Sequence, residues 1–187
     1  MVGAVAMAAA IAAMQRIGMD QIAAHEAELT AYALRRMGQI DGLRIYGATD
    51  PRRSGDRLGV IPFNIGALPY ALGAAVLGTE FGIGVRNGCF CAHPYLIKLL
   101  GLSQNDVQQV RTSMANGDMN TMPGMVRVSF GMYNTIEDVD ALIIALRQIA
   151  TSAYDGKYIL DRARGEYSAL GWSPSVVDHF SVANRAK

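Results

Sequence analysis

Both cysteines of the chain lie in one short segment, together with an arginine and a histidine. The segment covers residues 82–94 and reads Gly-Ile-Gly-Val-Arg-Asn-Gly-Cys-Phe-Cys-Ala-His-Pro. Cysteine thiolates act as nucleophiles and metal ligands, and an arginine guanidinium can bind a carboxylate or phosphate through two parallel hydrogen bonds. The segment therefore carries residue types suited to covalent sulfur chemistry beside an anion-binding group.

Two arginines are predicted to lie on strands and to point away from the core. Ile83 and Val85 alternate with Arg86, and valines alternate with Arg127 in residues 126–130. This period of two places the apolar residues on one face of a strand and the arginine on the other. If the strands are neighbours, both guanidinium groups lie on one face, where they could hold a carboxylate and a phosphate or backbone group. The alternative is that each arginine is a solvated charge on a strand face.

Cys91 is predicted to lie just before a helix. Asn87 and Gly88 indicate a turn, and Pro94 suits the first position of the helix that follows. The free N–H groups and the dipole at a helix N-terminus favour a thiolate over a thiol, so Cys91 is the candidate nucleophile. Without such a setting, free cysteines are commonly inert, small apolar residues. Cys89 stays open between a packing partner, a resolving thiol and no role.

The two cysteines and His93 offer three ligands of the types that zinc prefers. A closed structural zinc site usually needs four, and the other histidines, His25 and His179, lie far away in the sequence. We therefore predict no metal site.

Two segments resemble the class V aminotransferase superfamily, the pyridoxal-phosphate enzymes that include cysteine desulfurases and selenocysteine lyases. Residues 82–94 resemble the family's reactive-cysteine loop, in which a strand ending in arginine precedes a glycine turn, Cys-Ala and proline. Residues 126–135 resemble its Arg-x-Ser-x-x-x-Tyr-Asn-Thr segment. The resemblance extends over roughly residues 2–150.

The resemblance assigns roles to two residues. It implies that Arg127 binds the α-carboxylate of an amino-acid substrate. Arg86 is a second substrate-binding candidate because of the strand pattern described above. The resemblance implies that Cys91 is the catalytic thiol that takes sulfur from a cysteine-like substrate. It further implies a homodimer.

The family's Schiff-base lysine, which lies in a Ser-x-His-Lys-like context, has no counterpart here. The lysines of the chain are Lys98, Lys157 and Lys187, and none follows a histidine in such a motif. We therefore expect the chain to be the C-terminal part of a pyridoxal-phosphate enzyme, incomplete for catalysis alone. Pyridoxal 5'-phosphate would bind to the full-length parent and not to this chain by itself.

Two other interpretations stay open. Cys89 and Phe90 stand where desulfurases often have polar or histidine residues, so a class V aminotransferase or lyase acting on another amino acid remains an alternative. The second alternative is a stand-alone sulfur-relay or binding module in which Cys91 and Cys89 are acceptor thiols.

Composition favours an ordinary globular domain. The chain has 187 residues, of which 51% are hydrophobic and 18% charged. Its net charge of +1 argues against nucleic-acid binding. Two cysteines separated by one residue cannot form a disulfide framework, which favours a reducing, cytoplasmic location. The alanine-rich start lacks a basic flank and is too short to span a bilayer, so we predict neither targeting nor membrane binding.

The expected fold is an α/β, two-layer sandwich. It has a small mixed, largely antiparallel sheet with helices on one face, as in the small domain of fold-type I pyridoxal-phosphate enzymes. The segments that begin at Leu43, Leu58, Gly82 and Met125 supply its strands. Residues 1–150 form the domain with its entry helices. Residues 151–187 form a helical tail, in which residues 158–160 are the best helical stretch.

Two capping boxes predict helix starts. Ser103 with Asp106 and Thr135 with Asp138 have the required spacing of three residues. After Thr135, apolar residues recur at helical spacing and predict an amphipathic helix that packs on the sheet. They are Val139, Leu142, Ile143, Leu146 and Ile149.

Overall fold

The computed structural model describes residues 2–172. The helices are α1 (Val2–Ile17), α2 (Met19–Met37), α3 (Tyr70–Phe81), α4 (His93–Leu100), α5 (Gln104–Ala115) and α6 (Ile136–Ala150). The strands are β1 (Leu43–Ile45), β2 (Val60–Ile65), β3 (Arg86–Gly88), β4 (Met125–Ser129), β5 (Tyr158–Asp161) and β6 (Glu166–Ala169). Short 3₁₀ helices cover Pro51–Asp56 and Met119–Thr121.

Strands β1 to β4 form one antiparallel sheet in the order β1-β2-β4-β3. The predicted small, largely antiparallel sheet is thus confirmed. Strand β4 lies between β2 and β3, with Pro62 opposite Arg127 on one side and Arg86 opposite Arg127 on the other. This register, which joins three distant segments, sets the position of the candidate site.

The main core lies between one face of the sheet and helices α2, α3 and α6. Strand β2 lies within the segment predicted to begin at Leu58, and its burial alternates: Ile61, Phe63 and Ile65 are buried, and the residues between them are half-buried. Every residue of the predicted α6 stripe is buried. Burying such an aliphatic side chain is worth about 1.5–3 kcal/mol, so this helix contributes much of the core. The opposite face is partly covered by α4, whose Leu96 packs in a second cluster.

Both predicted capping boxes are present. In each, the hydroxyl of the first residue accepts from the N–H of the aspartate three residues later, and the aspartate accepts from the first residue's own N–H. These bonds satisfy N–H groups that have no partner within the helix, which explains why α5 and α6 begin where they do.

The strand predicted over residues 82–86 begins later than expected. Gly82 ends α3 with a left-handed φ of 65°, and residues 83–85 carry the chain back to the sheet without ladder hydrogen bonds. Ile83 and Val85 nevertheless pack against the main core as their alternation predicted. Pairing begins at Arg86 and includes Asn87 and Gly88, so the predicted Asn-Gly turn is wrong and the turn comes after Gly88.

The helical interpretation of the tail is wrong over residues 158–169. Strands β5 and β6 form an antiparallel hairpin there, closed at Gly165, whose φ is 68° and whose N–H donates to the carbonyl of Asp161 at 2.7 Å. Side-chain exposure alternates along both strands, which is a β period and not a helical one. The predicted tail residues 173–187 lie outside the described residues, and the domain boundary at residue 150 stays a prediction.

The N-terminal helix α1 stands apart from the core and buries none of its residues. Within residues 2–172, no single helix has the length and apolar character needed to cross a membrane. Helices α1 and α2 would pass that test only as a pair, and they are bent by 79° at Gly18.

Candidate substrate-binding and thiol site

Arg86 and Arg127 lie directly opposite each other on neighbouring antiparallel strands. Residues in this relation project from the same face of a sheet, with Cβ atoms about 5 Å apart. The face is the one opposite the main core, as the alternation predicted, because Val126 and Val128 on either side of Arg127 are buried in that core. Like charges placed opposite each other destabilise a sheet unless an anion lies between them. This pair is therefore suited to binding a carboxylate.

Arg127 is half-buried, whereas Arg86 is exposed. The Nε atom of Arg127 is buried and has no hydrogen-bond partner. No carboxylate in residues 2–172 forms an ion pair with this arginine. Its guanidinium carbon instead lies 4.9 Å from the centre of the Phe90 ring. A buried donor without a partner is costly in a folded protein, which makes this guanidinium a candidate for ligand binding.

A tight turn presents Cys91 to solvent. The N–H of Ala92 donates to the carbonyl of Cys89 at 2.9 Å, and Phe90 and Cys91 between them have φ values of 53° and 58°. Two successive positive φ values are typical of a type I′ turn. Residues other than glycine, asparagine or aspartate are rare in this conformation, which costs about 1–3 kcal/mol per residue. Such strain is found most often at functional sites.

The turn is held in place by a small apolar cluster. Cys89 is half-buried and packs with Tyr46, Leu96 and Met125, while Cys91 is exposed. Leu96 belongs to α4. This helix starts at His93, one residue before the predicted start at Pro94. Cys91 thus lies two residues before the helix. Of the roles left open for Cys89, the observed contacts favour that of a packing partner.

His93 is the first residue of α4 and is exposed. In residues 2–172, no group of three or more His, Cys, Asp and Glu side chains is arranged to hold a metal ion.

The Tyr-Asn-Thr part of the second motif shapes the loop after β4. The Asn134 side chain accepts from the N–H of Gly131 at 2.8 Å and donates to Asp138 at 3.1 Å. Nε2 of His25 donates to the carbonyl of Asn134 at 2.9 Å. Hydrogen bonds from the Asn134 side chain, and then from the N–H of Thr135, lower the pKa of Asp138. These contacts fix the path of the chain between β4 and α6.

Sequence reasoning missed two of these contacts. It considered His25 only as a possible metal ligand and gave Phe90 no role beside Arg127. The aromatic residue beside the cysteines was a visible signal for the contact between Phe90 and Arg127, but Arg127 lies in a distant segment of the sequence. Nothing in the sequence near His25 indicated its contact with Asn134.

The described residues do not fit the role of the pyridoxal-phosphate lysine. Lys98 is exposed on α4, and Lys157 is exposed immediately before β5. Neither follows a histidine in a Ser-x-His-Lys motif. Residues 2–172 therefore do not supply the amine to which this cofactor would be attached.

Comparison with known proteins identifies a matching family model and several similar proteins. The model of the family described as "Aminotransferase class-V" matches residues 1–142. Probable cysteine desulfurases of Staphylococcus epidermidis and of Staphylococcus aureus strain COL are each 40% identical over 146 residues. Each alignment covers 78% of this chain and 29% of the relative.

A solved structure shows the same fold. The apo cysteine desulfurase of Thermococcus onnurineus NA1 superposes with a TM-score of 0.63 at 27% identity, covering 80% of this chain and 31% of that protein. The chain thus spans less than a third of the length of the relatives it matches. Because the family match extends over most of the chain and includes both motifs, the chain belongs to the class V aminotransferase family.

Proposed function

We propose that this chain is the C-terminal part of a pyridoxal-phosphate-dependent cysteine desulfurase, in which it supplies the carboxylate-binding and thiol-bearing side of the active site. The likeness to cysteine desulfurases over 78% of the chain supports the reaction class. The small share of those relatives that is covered supports a parent protein with a separate cofactor domain. The comparisons do not favour the alternative of a stand-alone sulfur-relay module.

The opposed pair of arginines carries the proposal. Arg127 is half-buried, has an unpaired buried Nε and faces Arg86 across the ladder. A substrate α-carboxylate between them would accept charge-assisted hydrogen bonds and relieve the repulsion between the two guanidinium groups. Arg127 would fix the orientation of the amino acid, and Arg86, being exposed, would add attraction with less geometric control.

Cys91 is the proposed acceptor of sulfur. Its exposure and its position at the tip of a turn leave the thiol free to approach a bound substrate. The thiolate would attack the substrate sulfur and form an S–S bond while the substrate's Cβ–S bond breaks. The electron pair of the broken bond would stay with the carbon skeleton, for which the parent's cofactor would supply the electron sink, and after protonation the skeleton would leave as alanine, with the sulfur retained as a persulfide. The cofactor lysine and the residues that stack on the cofactor belong, in this proposal, to the parent's other domain. A homodimer and a cytoplasmic location are part of the same proposal and rest on the family resemblance and the free cysteines.

The first test is the coding sequence upstream of Met1. An in-frame Ser-x-His-Lys motif and an aspartate for the cofactor would support the proposal. An in-frame stop codon directly before the start of this chain would contradict it.

The second test uses the extended protein that such a reading frame encodes. In the presence of a thiol reductant such as dithiothreitol, which reduces the persulfide, we expect it to release sulfide from L-cysteine. Arg127→Gln should lower kcat/KM about 30-fold, because it removes charged hydrogen bonds worth about 2 kcal/mol. Arg147→Gln is the matched control, since this exposed arginine lies on α6. Equal losses in both variants, or turnover of substrates without a carboxylate, would contradict the assignment.

A further inference from the structure

We propose that Phe90 is a positioning residue, whose ring holds the guanidinium of Arg127 in the orientation that receives a substrate carboxylate. The identity of that carboxylate rests on the proposed function, but the contact between ring and guanidinium belongs to this chain alone. Phe90 would not touch the reacting atoms. It would act through Arg127.

The geometry is that of a cation–π contact. The guanidinium carbon of Arg127 lies 4.9 Å from the ring centre of Phe90, within the range of about 6 Å in which the ring quadrupole attracts a cation. The attraction strengthens where water is excluded, and the Nε atom of Arg127 is buried.

The Phe90 ring holds the guanidinium of Arg127 in place, as a carboxylate partner holds the guanidinium of other arginines in the chain. Arg36, for example, forms an ion pair with Asp140 at 3.0 Å. Arg127 has no such partner in residues 2–172. A carboxylate at this position would occupy the N–H groups that the ligand needs, whereas an aromatic face holds the cation and leaves these donors free. Phe90 therefore orients Arg127 without competing with an incoming anion.

The backbone at Phe90 supports this role. Its φ of 53° lies in the left-handed region, which glycine or asparagine would adopt at lower cost. A bulky aromatic residue at such a position calls for a compensating contact. The ring makes two such contacts, one with Arg127 and one with the small apolar cluster. Because Cys91 occupies the next position of the same turn, the ring also links the position of the thiol to that of the anion-binding group.

A purely structural role makes a different prediction. Phe90 also packs against the small cluster formed by Tyr46, Leu96 and Met125. If packing were its only function, leucine would replace it well, since leucine is apolar and fills most of the space. If the π face matters, Phe90→Leu would release Arg127 and Phe90→Tyr would retain it.

The experiment is an NMR measurement of arginine Nε–Hε signals on the 187-residue chain labelled with nitrogen-15. We expect the signal of Arg127, identified by its loss in Arg127→Lys, to be shifted upfield by the ring current of Phe90. Phe90→Leu should move it to the position of exposed arginines such as Arg147, and Phe90→Tyr should leave it shifted. Phe81→Leu, at the end of α3, is the matched control and should not move it.

The second readout is steady-state kinetics of the extended protein. Phe90→Leu should raise KM for the amino acid about 5- to 30-fold with kcat little changed, the range expected for loss of a cation–π contact. Phe90→Tyr should restore KM. If Phe90→Leu fails to fold, nuclear Overhauser contacts between the Phe90 ring and Arg127 protons in the wild-type chain decide the matter.

The outcomes separate the two proposals. An Arg127 signal that is not ring-shifted, or that Phe90→Leu leaves unmoved, overturns the positioning role. So does a KM that responds equally to Phe90→Leu and Phe81→Leu. A ring-shifted Arg127 in a protein that does not act on cysteine supports the positioning contact and contradicts the proposed function.

Discussion

At the scale of single residues, the two cysteines differ in ways that the spacing Cys-x-Cys does not reveal. Cys91 is exposed at a strained turn before α4, while Cys89 is half-buried against the small cluster. Arg86 and Arg127 lie opposite each other on the same face of the sheet. Residues 82–94 therefore combine an accessible thiol, a packed thiol and one of the two arginines of the candidate anion site.

We predict that iodoacetamide modifies Cys91 faster than Cys89. Cys91 is exposed at the tip of the turn before α4, whereas Cys89 is half-buried against the small cluster, so the reagent reaches Cys91 more easily. Mass-resolved labelling across a pH series measures both rates, with Cys91→Ser and Cys89→Ser assigning the peaks. Equal rates, or a Cys91 that reacts only after denaturation, would remove the catalytic-thiol assignment.

At the scale of elements, the Glu80 side chain of α3 binds the first residue of the β5–β6 hairpin and two residues just before it. Glu80 accepts hydrogen bonds from the N–H groups of Asp155 and Gly156, each at 3.0 Å, and from the hydroxyl of Tyr158 at 2.7 Å. Burial raises the pKa of Glu80, but these three donors outweigh it and the pKa is lowered overall. Burial and the neighbouring Glu80 raise the pKa of Tyr158 to about 12.

We predict that Glu80→Gln loosens the start of the hairpin by about 1 kcal/mol, because the charge-assisted bonds to this exposed carboxylate weaken. Amide hydrogen exchange at Asp155 and Gly156 should accelerate, while the buried amides of α6 stay protected. Glu28→Gln, on an exposed face of α2, is the control. Unchanged exchange at both amides would show that the hairpin is held by other contacts.

The same contact predicts a loss of stability in alkali. The folded pKa of Tyr158 exceeds its ordinary value of 10.0, so its contribution is fully present below pH 10 and is lost as the pH rises toward 12. Tyrosinate absorbance during titration should show one tyrosine that ionises near pH 12 in the wild-type chain and earlier in Glu80→Gln. A Tyr158→Phe variant that keeps the late-ionising group would refute this assignment.

At the scale of the whole molecule, residues 2–172 form a main core and a second, small cluster. No lysine within these residues is suited to the cofactor. Helices α2, α3 and α6 pack on one face of the sheet, and the arginine pair lies on the other. The substrate-binding half of the proposed site can therefore fold around its own core.

We predict that the isolated chain neither acquires the absorbance of bound pyridoxal phosphate nor turns over amino acids. The reason is that Lys98 and Lys157 are both exposed and lie outside the required motif. Incubation with the cofactor, borohydride reduction and peptide mass mapping test this directly. A reducible adduct on one specific lysine, together with turnover, would show that the chain is catalytically complete.

The sequence by itself determined much of the local structure. Alternation placed Arg86 and Arg127 away from the core, and the capping boxes marked the starts of α5 and α6. These features depend on residues within one turn of helix or one strand, so their signals are contained in neighbouring positions. The family motifs likewise lie in continuous segments and indicated the fold.

Only the tertiary structure decided how the segments meet. The register that sets Arg86 opposite Arg127, the ring of Phe90 on that arginine and the docking of the hairpin on Glu80 each join residues far apart in the chain. Such contacts depend on the packing of several elements at once. The turn lies after Gly88 and not at Asn87 and Gly88 for the same reason. Pairing of these two residues with β4 outweighs their local preference for a turn.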